Sequence, residues 1–500
     1  MIIAGLVLGL VAFITVLRLL EAEGAARHIV STAQQSIQVI TDPDLSDLDK
    51  ERQVRRASLS LFGSFLKIAG IGAASLGATV LVIWAGAALG FYTVDAVLAV
   101  AMDWRFLLGS TVGAVALWIL LDRVGGRSPA PTSRDTGEVP YGPMEQALHD
   151  FAFASPRRQR RLGAIETRLF RSRIDPEHAA RPVFITSLPR AGTTIMLNAL
   201  AELPEFASAT YRHMPFTLAP LLWGRIAPLV QKTAERGERA HRDGIEVSGE
   251  SPEAFEEMLW LAFWPDHYGK DRIQTWSADQ FDPVFADYFR THMAKVVAAK
   301  PGARRYVSKN NANIARLPLL DAICPDATVV IPVRDPRAQV ASLMRQHARF
   351  LDLHAREPFG RRYMEGVGHF EFGAALRPID FGTDRPAPAR EEIGTDFWLR
   401  YWIDAYEHVL ATAGGNAVFV DHDALCVAPG DHLPLLAEAI GAEDVREITG
   451  LAAKFRAPAP LPELDHASPR LLDRALSLHG VLRQRALAPT VTPLRKETFV

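Results

Sequence analysis

The chain divides by the spacing of its apolar residues. Three uncharged, strongly apolar runs occupy the first quarter: Met1–Leu17, Ile68–Val94 (27 residues) and Phe106–Leu121 (16 residues). A membrane-crossing helix needs about 20 apolar residues, within a range of roughly 17–25. The middle run is ample and the first adequate. The third is short, but Trp104 and Arg105 flank it and suit an interface. The pattern predicts an α-helical membrane region over residues 1–122 with about three transmembrane helices. A cleaved signal peptide is the competing reading of the first run, and buried helices of a soluble protein the bland reading of all three. The basic region that opens a signal peptide is missing, since the first cation is Arg18. Beyond residue 180 the pattern changes to short β-branched and aromatic runs between longer helical ones. Segments 183–187, 304–308, 328–333 and 417–421 read as strands. That alternation predicts an α/β fold, a parallel sheet of about four or five strands flanked by helices. Residues 123–145 are rich in Gly, Pro, Ser and Thr and read as a tether. The expected divisions are therefore 1–122, a linker and lead-in helix over 123–180, and a second domain over 181–500.

Charge adds an orientation. Basic residues number 55 and acidic ones 57, a net charge of −2, so no broad nucleic-acid-binding face is expected. Cys324 and Cys426 are too few for a disulfide framework or a cysteine zinc site. Between the first two apolar runs lie Arg27, Lys50, Arg52, Arg55, Arg56 and Lys67. The turn before the third holds Asp95, Asp103 and only Arg105. After it come Arg123, Arg127, Arg134 and the run Arg157-Arg158-Gln159-Arg160-Arg161. The positive-inside rule places 21–67 and everything after 122 in the cytoplasm, as in a multi-pass inner-membrane protein. The arginine run itself reads as a solvated or lipid-facing linker.

The chemistry follows the tether. Val183-Phe184-Ile185-Thr186 leads through Pro189-Arg190-Ala191-Gly192-Thr193-Thr194 into a helical pattern at Ile195, Leu197 and Leu200. Strand, small-residue loop and helix N-terminus are the parts of a phosphate cradle, because free N–H groups and the helix dipole both favour an anion. A magnesium-coupled nucleotide kinase needs Gly-Lys-Ser/Thr here. This chain has Gly192-Thr193-Thr194, with its cation at Arg190.

The loop resembles the 5′-phosphosulfate loop of the sulfotransferases that use 3′-phosphoadenylyl sulfate (PAPS), with Ala191 in place of the usual serine. A second element agrees: the apolar run 328–333 ends at Arg334, and Ser342 follows eight residues on. The resemblance covers roughly residues 180–445. It implies a P-loop-type, sulfotransferase-like catalytic domain with PAPS as co-substrate and no metal. Arg190, Ala191, Gly192, Thr193 and Thr194 would hold the 5′-phosphosulfate, and Arg334 and Ser342 the 3′-phosphate. Lys309, ending the 304–308 strand, matches a lysine thought to contact the transferred sulfate. Ala417–Leu425 resembles a late family segment, with Asp421 and His422 replacing Tyr and Glu. The family's Arg-Lys-Gly-x-x-Gly element is not visible.

The general base is less determined. His213, shortly after the loop helix, is the first candidate. Glu257 is the acid candidate, one turn into an expected helix that Ser251 caps and Pro252 begins. Acceptor recognition is expected in 216–300 and 350–395. There Trp260, Phe263, Trp264, Asp266, His267 and Tyr268 either line an apolar pocket or pack a helix. The acceptor is a hydroxyl or amine, and the membrane region points to a lipid or lipid-linked glycan. A P-loop kinase and a non-catalytic membrane-anchored binding module remain the alternatives.

Overall fold

The computed structural model describes residues 2–20, 47–103, 143–230, 251–382 and 392–489, with isolated positions between them. The chain forms two compact units, Met1–Ser133 and Arg134–Val500.

In the first unit the described helices are α1 (Ile2–Leu19), α2 (Asp47–Ala88) and α3 (Val94–Ala101). Helix α1 and the Ser60–Ala88 part of α2 are long and apolar enough to cross a membrane. The expected run 68–94 is not one helix. Gly90 turns the chain with φ 77°, and the Thr93 side chain accepts the Ala96 N–H to start α3. Helix α1 packs along α2 through small residues. At Gly9 the missing side chain lets the Thr79 hydroxyl donate to the Gly9 carbonyl at 3.2 Å. The other face of α2 exposes Phe62, Phe65, Leu76, Val80, Leu81 and Trp84, as a lipid-facing helix does. The third expected span, 106–121, and the tether lie mostly outside the described residues.

The second unit opens with α4 (Pro143–Phe153) and α5 (Pro156–Leu169). The arginine run, expected as linker, lies in α5. Ser155 caps that helix, Pro156 occupies its first turn, and Gln159, Gly163 and Glu166 are buried along its inner face. Then come strands β1 (Val183–Ile185), β2 (Phe206–Ala207), β3 (Arg305–Lys309), β4 (Thr328–Val333) and β5 (Ala417–Asp421). They form one sheet in the order β2-β3-β1-β4-β5, with every pair parallel. Val183, Phe184 and Ile185 are wholly buried, as a central strand covered on both faces requires. The main helices are α6 (Thr193–Glu202), α7 (Glu257–Phe263), α8 (Pro283–Ala299), α9 (Pro336–Arg356) and α10 (Thr395–Thr412). From β1 the chain passes through α6 to β2 at one edge. From β4 it passes to β5 at the other. The loops after β1 and β4 therefore leave the sheet in opposite directions from adjacent strands. That divergence opens a crevice at the carboxyl ends of the strands.

Candidate active site

Both motifs expected to hold phosphate meet in that crevice. The loop after β1 is held from below by its own sheet. Ser187 Oγ donates to the Pro332 carbonyl at 2.7 Å, and Gln339 on α9 donates to the carbonyls of Leu188 and Pro189 at 3.2 and 3.0 Å. Trp402 Nε1 of α10 donates to Gln339 Oε1 at 2.9 Å, so a buried aromatic helix fixes the amide that fixes the loop. Arg190 sits in the left-handed region at φ 70°. Such a conformation costs a non-glycine residue about 1–2 kcal/mol and persists only where neighbours enforce it. Here Arg334 donates to the Arg190 carbonyl at 3.0 Å, and Arg190 Nε donates to Ser342 Oγ at 3.0 Å. Arg190, Arg334 and Ser342 thus form one cluster, although 152 positions separate its ends.

Gly192 caps α6 with φ 95° and no side chain. A Cβ there would stand 2.3 Å from the His422 ring. His422, at the start of the helix after β5, is pushed down to about 4, first by burial and then by Arg334. Arg334 Nε has no hydrogen-bond partner among the described residues. The Asp423 carboxylate lies 3.7 Å away, an ion-pair distance too long for a hydrogen bond. A leftover cationic donor beside a helix N-terminus with no acid in its first turn fits an anionic ligand.

Lys309 ends β3 in register with Ile185, its ammonium buried 4.0 Å from the Glu253 carboxylate. The next residues, Asn310, Asn311 and Asn313, each hold a different glutamate. Asn310 donates to Glu257 at 2.7 Å, Asn311 to Glu371 at 3.1 Å and Asn313 to Glu256 at 2.9 Å. Asn311 also accepts the Thr193 hydroxyl at 3.2 Å, so the N-terminus of α6 is linked to Glu371 through one amide.

The two expected bases are each held by their neighbours. His213 is buried in a short turn after β2. Its Nδ1 accepts the Thr210 N–H at 3.1 Å, and burial, then Arg212, pushes it down to about 4. Glu257 is closed in by Arg316, which reaches both its oxygens at 2.9 and 2.6 Å, and by the hydroxyl of Tyr268. Arg316 is itself wholly buried between Trp260 and Trp276, 4.2 and 4.4 Å from their ring centres. The aromatic cluster around Trp260 is therefore packing. The expected helix start at Ser251-Pro252 is also displaced. The Tyr211 N–H donates to the Ser251 carbonyl, Glu253 N–H donates to Ala209, and α7 begins only at Glu257.

A cleft opens beside the loop. Leu188, Pro189, Asn310, Asn311, His369 and Glu371 are among its walls. His369 Nε2 lies 2.8 Å from the Ala254 carbonyl. A carbonyl only accepts, so Nε2 carries a hydrogen. No local pattern marks Glu371 and His369 in the sequence; both fall in the 350–395 window expected to serve the acceptor. Neither His213 nor Glu257 lines this cleft.

Residues 182–371 match the model of the sulfotransferase family. Among solved structures, the chain is similar to sulfotransferase STF9 from Mycobacterium avium, with 14% identity, a TM-score of 0.37, and coverage of 74% of this chain and 89% of that one. It is also similar to sulfotransferase STF1 from Mycobacterium tuberculosis, with 15% identity, a TM-score of 0.34, and coverage of 74% and 90%. A sulfotransferase from Alicyclobacillus acidocaldarius shows 13% identity, a TM-score of 0.30, and coverage of 62% and 98%. No curated protein matches the chain.

Proposed function

We propose that this chain, a member of the sulfotransferase family, transfers a sulfuryl group from PAPS to a hydroxyl or amine at the inner face of a membrane. When bound, the donor supplies an activated sulfuryl group on a phosphate leaving group. The loop N–H groups of 191–194, Arg190 and Lys309 stabilise the charge that gathers on that leaving phosphate. Arg334 and Ser342 take the 3′-phosphate, a fork of N–H donors and a hydroxyl matched to its oxygens. Glu371 takes the proton from the acceptor. The observation that carries this role is the chain Thr193–Asn311–Glu371, which ties a cleft-lining carboxylate to the donor loop. The apolar helices α1 and Ser60–Ala88 support a membrane location, with residues 134–500 in the cytoplasm beside the PAPS supply. A chain confined to the membrane meets lipids at high effective concentration, so the acceptor is a lipid or lipid-linked glycan.

Incubation of membranes from expressing cells with sulfur-labelled PAPS tests the reading. A labelled species is expected in the lipid extract. Glu371→Gln should cut its formation roughly 10²–10⁴-fold while leaving affinity for the product nucleotide PAP intact. A variant that transfers at the wild-type rate removes Glu371 from the mechanism. Label absent from every fraction, with PAP unbound, removes the sulfotransferase reading.

A further inference from the structure

Helix α5 carries a face that no described residue of the second unit covers. On its inner side Glu166 meets Lys295 of α8 at 3.1 Å, and Gln159 reaches the Pro215 carbonyl at 2.8 Å. At 100° per residue, the opposite arc brings Arg157, Arg161 and Arg168 into one row. All three are exposed. Alongside that row Ile165 and Leu169 stand 50% and 66% exposed, two large apolar side chains left uncovered among the described residues. Arg158 lies over the ring of Phe151, itself 56% exposed, which extends the apolar edge. The only acid of α5 is Glu166, on the buried side. Arg171 and Arg173 follow in the next turn, before Asp175 and Glu177 restore balance.

A row of arginines beside exposed leucine and isoleucine, on a helix whose one acid is buried, is the composition of a helix that lies in a membrane surface. We propose that this face of α5 docks on an anionic phospholipid bilayer, with Ile165 and Leu169 entering the headgroup boundary and the arginines on lipid phosphates. Charge complementarity selects the occupant. The whole chain carries a net charge of −2, so a surplus of arginine confined to one helix face marks a local anionic partner. The same chain brings its own apolar helices, and whatever they cross holds such a surface close by. The proposal concerns where the second unit rests and stands apart from the reaction assigned above.

The full chain is reconstituted in nanodiscs of neutral lipid, or of neutral lipid with one-third anionic phosphatidylglycerol. Ile165→Cys carries an environment-sensitive fluorophore, since both native cysteines are buried. Brominated lipids then report contact by quenching. Quenching is expected in the anionic discs, less in the neutral ones, and reversed by molar salt. Combining Arg157→Gln, Arg161→Gln and Arg168→Gln should weaken docking on the order of a hundredfold, at about fivefold per arginine. Those three side chains are exposed, so an unchanged melting temperature is expected. A label at exposed Val427, on the helix after β5, should stay unquenched. Quenching equal at both sites, or absent at residue 165 in anionic discs, overturns the proposal. So does protection of residue 165 in cells without quenching in discs, which assigns the face to a protein partner. Chain that fails to enter discs at all tests the membrane reading of α1 and α2 instead; the same label is then read on anionic vesicles.

Discussion

Replacement of Gly192 by alanine should collapse the donor loop, and the cost can be worked from two separate features. The first is conformational. At φ 95° the residue lies in left-handed territory, where a Cβ costs about 1–2 kcal/mol. The second is steric. The new methyl would meet His422 Cε1 and Nδ1 at 2.3 Å, where carbon contacts settle at about 3.5–4.0 Å. The ring must retreat by more than an ångström, yet Cys426 Sγ stands 3.6 Å behind its Nε2. Overpacking of that kind costs about 1–3 kcal/mol. Together the two predict a loss of roughly 2–5 kcal/mol, divided between stability and PAP affinity. Thermal melting reads the first and calorimetric titration with PAP the second. His422→Ala should restore about 1–3 kcal/mol when added to Gly192→Ala, because it removes only the steric part, so the pair is non-additive. Strict additivity, or a Gly192→Ala protein with native melting and PAP affinity, would refute the geometry of the loop.

Two further outcomes follow from the buried charges. Glu257→Gln should lower the melting temperature on the order of 10 °C, because an uncompensated buried Arg316 costs about 3–5 kcal/mol; a stable variant defective only in turnover would return Glu257 to the role of base. His213 is held down to about 4 from its ordinary 6.5. The unfolded chain therefore binds the proton first, so its contribution is complete above about pH 6.5 and lost as pH falls toward 4, up to about 3 kcal/mol. His213→Asn should flatten that acid limb in melting curves taken from pH 7 to 4; an unchanged limb would show that the imidazole is not neutral in the fold.

The parts of the site legible in the sequence are those written in local backbone geometry. A three-residue apolar strand, a loop of small residues and a helix lie contiguous at 183–202, and the chain folds them as that order implies. Arg334 and Ser342 are likewise a strand end and a second helical turn. Their convergence on Arg190 is tertiary, yet it follows from β1 and β4 being neighbours. The failures are places where a distant partner overrode a local signal. Ser251-Pro252 has the form of a helix start, but pairing with 209–211 took its backbone groups. Glu257 has the form of a pocket acid until Arg316, 59 residues on, occupies both oxygens. The arginine run reads as linker because its charges hide the buried side of α5, where one glutamate meets a lysine of another helix.

The three asparagines after Lys309 set Glu371, the proposed base, apart from Glu256 and Glu257. Glu256 is filled by Ser308 Oγ at 2.5 Å and Tyr306 at 3.3 Å besides Asn313, and it is buried. Glu257 is filled by a guanidinium besides Asn310. Glu371 takes Asn311 and faces the cleft. A guanidinium fixes a carboxylate by stabilising its anion, which weakens it as a proton acceptor. An amide fixes the same carboxylate without bringing a charge. Asn311 is moreover already oriented, since its oxygen accepts from Thr193 and its nitrogen must therefore point the other way. The group that holds the loop after β1 thus also holds a carboxylate in the wall of the cleft. Positioning of this kind fails together when Asn311 is lost, which separates it from a residue that only packs.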